Sequence, residues 1–560
     1  MKILKKTILL LAISIVFATS CSEEFIERPL LVDLSAENFD PETAVTACYN
    51  IMVNSVTNAY PNQRWFNWQT YIQGDAISDD AFKSGADCDD APAIAEMERF
   101  MLDPANVQVG NFWRTQYQHI YYFNWTLAGL AVNESIPEEL KNQYRSEVLF
   151  LRSLAYFWLN RAFGGVVPVF ELVGDEVEIK RATEDEIWAQ LEKDLQYAID
   201  ILPEKSEYPL ADLGRATRGS ARALLAKIYL HQLKYQASLD QTQAIIQSGE
   251  YELENDYRNL WKRGLPGDDR NEHGIESVFE ITFAPAIDER NPADWARSQR
   301  GRQPELGGWG LINPTLDLLD TYEEGDPRII STFLFDGDTM PKVDSLGASL
   351  GITVGGQPCN IHMMLNYKVH RAQNEYSELT DNMAENFIVI RFADVLLMYA
   401  EAANELGRTS EALDKLNMVR ERARNSSRVD PNRTYINFNG PIGGNYTGPE
   451  RGYLTYDWNT VDESTILPDI TITDKIELRH AIWKERRTEF ALEGERFFDL
   501  TRQTKVEPNR VGQVMRAFAE KWDIDWKGGS FKDGKHEVFP IPGSEIDLVG
   551  LEFLPQNNGY

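Results

Sequence analysis

The sequence predicts a predominantly α-helical body, a scaffold of tetratricopeptide-like helical hairpins carrying an irregular, loop-rich lobe. Three observations carry that prediction. Val389–Ala423 spells two helices and a tight turn, residues 217–246 repeat the pattern loosely, and elsewhere Gly, Pro, Asn and Asp crowd out any helical period.

In the first of these stretches Phe392, Val395, Leu396, Tyr399, Ala403 and Leu406 recur at spacings of three and four, which sets them on one helical stripe. Gly407 supplies the left-handed residue that closes this helix, and Thr409 and Ser410 offer side-chain oxygens to cap the next. Ala412, Leu413, Leu416, Val419 and Ala423 continue the stripe while Asp414, Lys415, Glu421 and Arg422 face water. Ala400 and Ala412 stand where the two helices cross, and small side chains there allow close approach. One hairpin cannot bury its face alone, so others are expected to stack on it.

The chain begins with a leader. Residues 1–20 hold Lys2, Lys5 and Lys6, then a mostly apolar run from Thr7 to Ala18 and small residues before Cys21, the pattern of a secretory signal peptide. The run is too short to span a bilayer comfortably. Cys21 after Ala-Thr-Ser is similar to the acylated cysteine of bacterial lipoproteins, with Ala18 where Leu is usual, and Cys21 is the expected lipidation site. Ser22, Glu23 and Glu24 resemble the acidic tract that follows such a cysteine in surface-exposed lipoproteins.

Size and composition set the bounds of the body, residues 21–560. At 560 residues, 43% hydrophobic and 11% aromatic, burial is not limiting, and 13 Trp with 23 Tyr leave aromatics to spare for binding. The formal charge is −31, or −34 without the leader (53 basic against 87 acidic residues). Nucleic acid is therefore not an expected partner, and anionic polysaccharide is disfavoured. Cys48, Cys88 and Cys359 are an odd set without paired spacing, so neither a disulfide framework nor a zinc site is implied. Cys48 shares the apolar face of a helix opened by Asp40 and Pro41 and reads as a small buried hydrophobe.

Residues 63–92 place Trp65, Phe66, Trp68 and Tyr71 ahead of Asp75, Asp79, Asp80, Asp87, Asp89 and Asp90, with little periodicity after Gly74. The acidic cluster has calcium-ligand chemistry without the spacing of an EF-hand loop, so solvated turns are the reading. No cofactor is expected, structural calcium being the one alternative. From Trp113 a helical face returns through Tyr117, Ile120, Tyr121, Leu127 and Ala128. Val148–Phe163 is apolar nearly all round, as in a buried helix, and Gly164, Gly165 and Pro168 end it. Thr183 and Glu186 form a capping box before Ile187, Leu191, Leu195, Ala198 and Leu202, and Pro203 stops that helix. In the loose repeat, Ala226 and Ser238 lie twelve residues apart, as Ala400 and Ala412 do.

Between about 250 and 388 turn formers accumulate, and Trp295 and Trp309 lie among them. Residues 429–474 are irregular again. Glu477–Arg502 reads as one last helix in which Glu485, Arg486, Arg487, Glu489, Glu493 and Arg496 are explained by pairing along the helix surface. The scaffold is thus expected mainly over 40–60, 110–250 and 385–505, and the loop-rich lobe mainly over 61–109, 250–385 and 429–474.

Several stretches together resemble the SusD/RagB family of lipid-anchored outer-membrane nutrient-binding proteins. They are IRFADVLLMYAEAANELG at 390–407, ERRTEFALEGERFFDLTR at 485–502 and FPIPGSEI at 539–546, with FLRSLAYFWLNRAFGGVVPV at 150–169 and NPTLDLLDTYEEGDPR at 313–328. The closing QNNGY is also family-like, although Asn558 stands where Pro is usual. The resemblance implies a lipid-anchored, surface-exposed protein of the outer membrane that works with a SusC-like TonB-dependent transporter. It says little about the ligand, because these motifs belong mainly to the scaffold.

Three functions compete. Glycan binding is favoured, because Trp and Tyr beside Asn, Gln, Asp and Arg suit the apolar faces and polar rims of sugar rings. The expected site is Trp65, Trp68, Tyr71, Trp295 and Trp309, with Asp79 and Asp80 accepting hydroxyl hydrogen bonds. Peptide binding of the RagB type is the alternative. A surface glycosidase is the least favoured, since no HExxH, GxSxG, P-loop or dinucleotide-binding motif occurs in the right context and the seven His are scattered.

Overall fold

The computed structural model describes residues 39–53, 72–84, 91–172, 179–261, 272–283, 309–335, 339–343, 349–353, 364–366, 368, 386–428 and 463–560. Helices dominate them, and none is long and apolar enough to cross a membrane.

Helix α1 (Pro41–Val53) starts on Asp40, whose carboxylate accepts from the Thr43 N–H at 3.1 Å. It buries Cys48 beside the Thr126 hydroxyl, and burial pushes that thiol up to about 12. A π-turn at Ile72–Ala76, strand β1 (Ala81–Lys83) and helix α2 (Pro92–Glu98) follow. The long helices α3 (Val107–Val132) and α4 (Glu138–Phe163) pack on each other. From Val148 onward α4 is buried on every side and closes at Gly164 with φ 67°, as its apolar run requires. Tyr121 departs from expectation. It points outward from α3, edge-on to Tyr122.

Helix α5 (Glu184–Ile201) opens on the expected capping box: the Glu186 N–H donates to Thr183 Oγ1 at 3.2 Å, and the Thr183 N–H to Glu186 Oε2 at 2.8 Å. Helices α6 (Arg218–His231) and α7 (Tyr235–Ser248) form the hairpin foreshadowed by Ala226 and Ser238, both wholly buried.

Short strands come next: β2 (Ser277–Ile281), β3 (Ile312–Pro314), β4 (Phe333–Phe335), β5 (Thr339–Val343), β6 (Ser349–Thr353), β7 (Met364–Asn366) and β8 (Phe387–Arg391). Between β3 and β4 lie α8 (Leu316–Thr321) and α9 (Arg328–Thr332). The strands pair antiparallel two by two, β1 with β3, β2 with β8, β4 with β7 and β5 with β6. They join chain segments, and among the described residues they build no extended sheet.

Helix α10 (Phe392–Glu405) and α11 (Thr409–Asn425) are the central hairpin, and α10 also packs on α7 and on α12 (Lys475–Glu489). Leu396, Ala400 and Ala412 are fully buried, whereas Leu406, the last of the expected stripe, is 39% exposed at the helix end. Gly407 takes φ 76°. Thr409 and Ser410 do not cap. The Arg408 N–H bonds back to the Ala403 carbonyl at 2.8 Å, so tight a closure that Thr409 is already inside the second helix.

The single last helix is two, α12 and α13 (Arg496–Thr504), followed by α14 (Arg510–Trp522) and α15 (Gly543–Val549). The break at 490–495 receives the π-turn. A Cβ on Gly74 would stand 1.9 Å from the Gly494 carbonyl oxygen, and the Gly494 N–H donates to Asp75 Oδ2 at 2.8 Å.

Candidate functional site

Asp79 and Asp80 end up inside the body, each 1% exposed. Arg496 donates Nε and Nη2 to Asp79 at 2.8 and 2.9 Å, and Arg487 donates Nε to Asp80 at 2.6 Å. Burial opposes the Asp79 charge, yet Arg487 and Arg496 outweigh it and hold that carboxyl below the usual range, while burial pushes its neighbour Asp80 up. These are buried scaffold charges already ion-paired, Asp79 through both oxygens and Asp80 through Oδ1, which corrects the expectation that they reach ligand hydroxyls. The helix charges are corrected too: Arg486, Arg487 and Arg496 bind Asp394, Asp317 and Asp79 from distant segments, not neighbours on their own helix.

Around them the stretch from Ile72 to Ser84 is clamped at both ends. Lys527, fully buried, donates to the carbonyls of Ala76 and Ala81 at 2.6 and 2.7 Å and to Glu98 at 3.0 Å. Thr315 binds the Asp79 and Asp80 carbonyls at 2.6 and 2.8 Å. At the other end of the β1/β3 ribbon the Ser84 N–H meets the Leu311 carbonyl at 2.9 Å, two residues from Trp309. Trp309 is half-buried against the core, with Asp79 and Asp80 beyond the opposite end of that ribbon. Trp65, Trp68, Tyr71 and Trp295 lie outside the described residues, as do Cys21, Cys88, Cys359, Asp87, Asp89 and Asp90. No group of three or more His, Cys, Asp or Glu among the described residues is placed to hold a metal ion.

A buried ionic network fixes the β2/β8 ribbon. Arg391, at the end of β8, donates to Glu276 at 2.8 Å, Glu489 at 2.5 Å and Glu493 at 2.9 Å. Arg422 bridges Glu276 and Glu489, and Arg328 reaches Glu485 and Glu489 at 2.6 and 2.9 Å. Burial opposes the Glu489 charge, but Arg422, Arg391 and Arg328 overcome it and hold the carboxyl far below its usual range.

Beside that ribbon a cavity of about 290 Å³ opens between α1, α4, β2 and the turn at 211–215. Met52, Val53, Leu151, Phe279 and Ile281 make its apolar side. The turn is held from beneath by buried Glu147, which accepts from the Tyr49 hydroxyl at 2.8 Å and from Arg215 at 3.1 Å. The Ala216 N–H donates to the Tyr49 hydroxyl at 2.9 Å, and Arg215 Nε to Asp212 at 2.8 Å. Val53 and Thr282 line this cavity, and in sequence they lead toward Trp65 and Trp295 respectively. The sequence gives no sign of it. Tyr49 and Phe279 read as ordinary members of a helix face and a strand.

Comparison with known proteins completes the description. The family model described as "SusD family" matches residues 275–560, and one described as "Starch-binding associating with outer membrane" matches 32–230. A SusD-like protein, P25, of Formosa agariphila is 25% identical over 587 residues, covering 98% of each chain. A laminarin-binding SusD-like protein of solved structure shares 24% identity and a TM-score of 0.67 over 93% of this chain and 99% of its own. Surface glycan-binding protein A from Bacteroides thetaiotaomicron, solved with laminarihexaose, gives 20% identity and a TM-score of 0.65 over 92% of this chain and 99% of its own. With more than half its length matched by the family model, and the helical body and segment-joining strands just described, this chain belongs to the SusD family.

Proposed function

We propose that the protein is a cell-surface glycan-binding lipoprotein that captures neutral oligosaccharide for import through a SusC-like TonB-dependent transporter, and that it binds without cleaving. The observation that carries this reading is a SusD-family body that follows a laminarin-binding protein over 93% of its length. Cys21 is the anchoring residue in the outer membrane, facing outward, and a net charge of −31 favours neutral over anionic glycans. The ligand platform draws on Trp65, Trp68, Tyr71, Trp295 and Trp309, each beside or within segments rich in turn formers.

Titrating the protein lacking residues 1–21 with laminarin, starch and a peptide library, with chromatography for products, tests the reading. Saturable binding of one neutral glycan without new products is the expected result. Peptide binding alone would favour the RagB-type alternative, and released oligosaccharides would make the protein an enzyme. Recovery of a large β-barrel from native membranes tests the partnership, and release of Cys21→Ala protein from membranes tests the anchor.

A further inference from the structure

The cavity between α1, α4, β2 and the 211–215 turn carries an inference that rests on the glycan reading above. Its floor is apolar and fixed: Leu151, Phe279 and Ile281 are buried, and Phe279 stands edge-on to Phe150 with ring centroids 4.7 Å apart. The exposed Thr46 and Thr282 are among its lining residues, the Thr282 hydroxyl lying 3.2 Å from His273 Nε2. The ionised groups on the described wall, Asp212 and Arg215, are paired with each other, and Arg215 is paired again with Glu147 beneath. A charged ligand such as a peptide terminus would meet no unmatched counter-charge there. At about 290 Å³ the volume sits at the lower bound of small-molecule pockets, enough for one ring and not for a chain.

Burying the Glu147 carboxylate is costly unless it is bonded, and burial pushes its pKa up while Arg215 and the Tyr49 hydroxyl oppose that shift. Those same bonds immobilise the turn that walls the cavity, so its shape exists before any ligand arrives. We propose that this cavity is a preformed end subsite taking a single neutral pyranose ring, with its C–H face on Phe279 and Ile281 and its hydroxyls at the rim.

Thr46 and Ala211 are exposed rim positions, so Thr46→Trp and Ala211→Trp obstruct the cavity and leave its floor alone. Each variant and the wild type are titrated calorimetrically with laminarihexaose and maltohexaose, with melting temperatures recorded and saturation transfer to the terminal ring followed by NMR. The expected result is at least about a tenfold loss of hexaose affinity in both variants, roughly one decade per 1.4 kcal/mol, at unchanged melting temperature, with terminal-ring saturation lost. Wild-type affinity in both obstructed variants overturns the subsite and leaves the glycan reading standing. A wild-type protein that binds neither hexaose, laminarin nor starch overturns the glycan reading and the subsite together.

Discussion

The Ser238 hydroxyl donates to the Ala226 carbonyl at 3.0 Å, a side-chain-to-backbone bond across the α6/α7 crossing. Both positions are fully buried. Ser238→Leu should therefore cost about 1–3 kcal/mol or more through overpacking, whereas Ser238→Ala loses only one hydrogen bond, about 1 kcal/mol. Urea denaturation of the two variants checks the order, and an equally mild Leu variant would mean that the helices do not approach closely there.

Removing Arg391 leaves buried Glu276 and Glu489, and partly buried Glu493, with a central cation missing. Breaking such a buried pair typically costs about 3–5 kcal/mol, so Arg391→Leu is expected to lose that much in chemical denaturation. A loss below about 1 kcal/mol would show that the network contributes little to holding β8.

Asp394 gives the pH dependence. Burial opposes its charge, but Lys227 Nζ at 2.8 Å and Arg486 Nη1 at 2.7 Å prevail, lowering its pKa from 3.8 to about 2. A depressed carboxylate contributes stability that is fully present above the unfolded value and is lost as pH falls through the folded one. Stability should thus decline between about pH 4 and 2 by about 2 kcal/mol from this group. Asp394→Asn should be less stable at pH 6 and show a shallower decline across that window. An unchanged slope in urea midpoints measured at successive pH values would remove Asp394 from the account.

For the aromatic platform, single Ala variants at Trp65, Trp68, Tyr71, Trp295 and Trp309 separate binding from packing. A platform residue loses affinity at constant melting temperature, and stacking on one ring contributes on the order of 1–2 kcal/mol, so loss of two should weaken binding at least about tenfold. Trp309, half-buried against the core, is the one expected to lower the melting temperature as well. Five variants binding a confirmed glycan at wild-type strength would move the search to residues 429–474.

What could be read from the sequence was local. The Thr183–Glu186 box, Gly407 and the twelve-residue spacing of Ala226 and Ser238 act within one hairpin, where period and turn chemistry decide the outcome. Arg487 and Asp80 lie 407 positions apart, and no pattern near either names the other, so charges that pair across the fold read as charges pairing along a helix. The close approach at Gly494 was equally hidden, since its partner is Gly74, 420 positions away. Of the candidate site, composition points to aromatics among turn formers, but the cavity is assembled from four elements that each look like plain scaffold.

Asn557 donates to the carbonyls of Phe163 and Phe539 at 2.8 and 2.6 Å, and Arg181 reaches Asn557 at 2.6 Å and the Pro555 carbonyl at 2.7 Å. The carbonyl at the end of α4 thus has one partner 18 residues away, Arg181 at 2.8 Å, and a second only at the far end of the chain. Residue 557 completes the bonding at the end of α4, as Arg496 completes that of Asp79. Such long closures slow folding and keep the partly made polypeptide from locking into shape. Were the chain exported, as its first residues lead one to expect, that delay would be an advantage, because a chain that has not yet locked can still be threaded across a membrane.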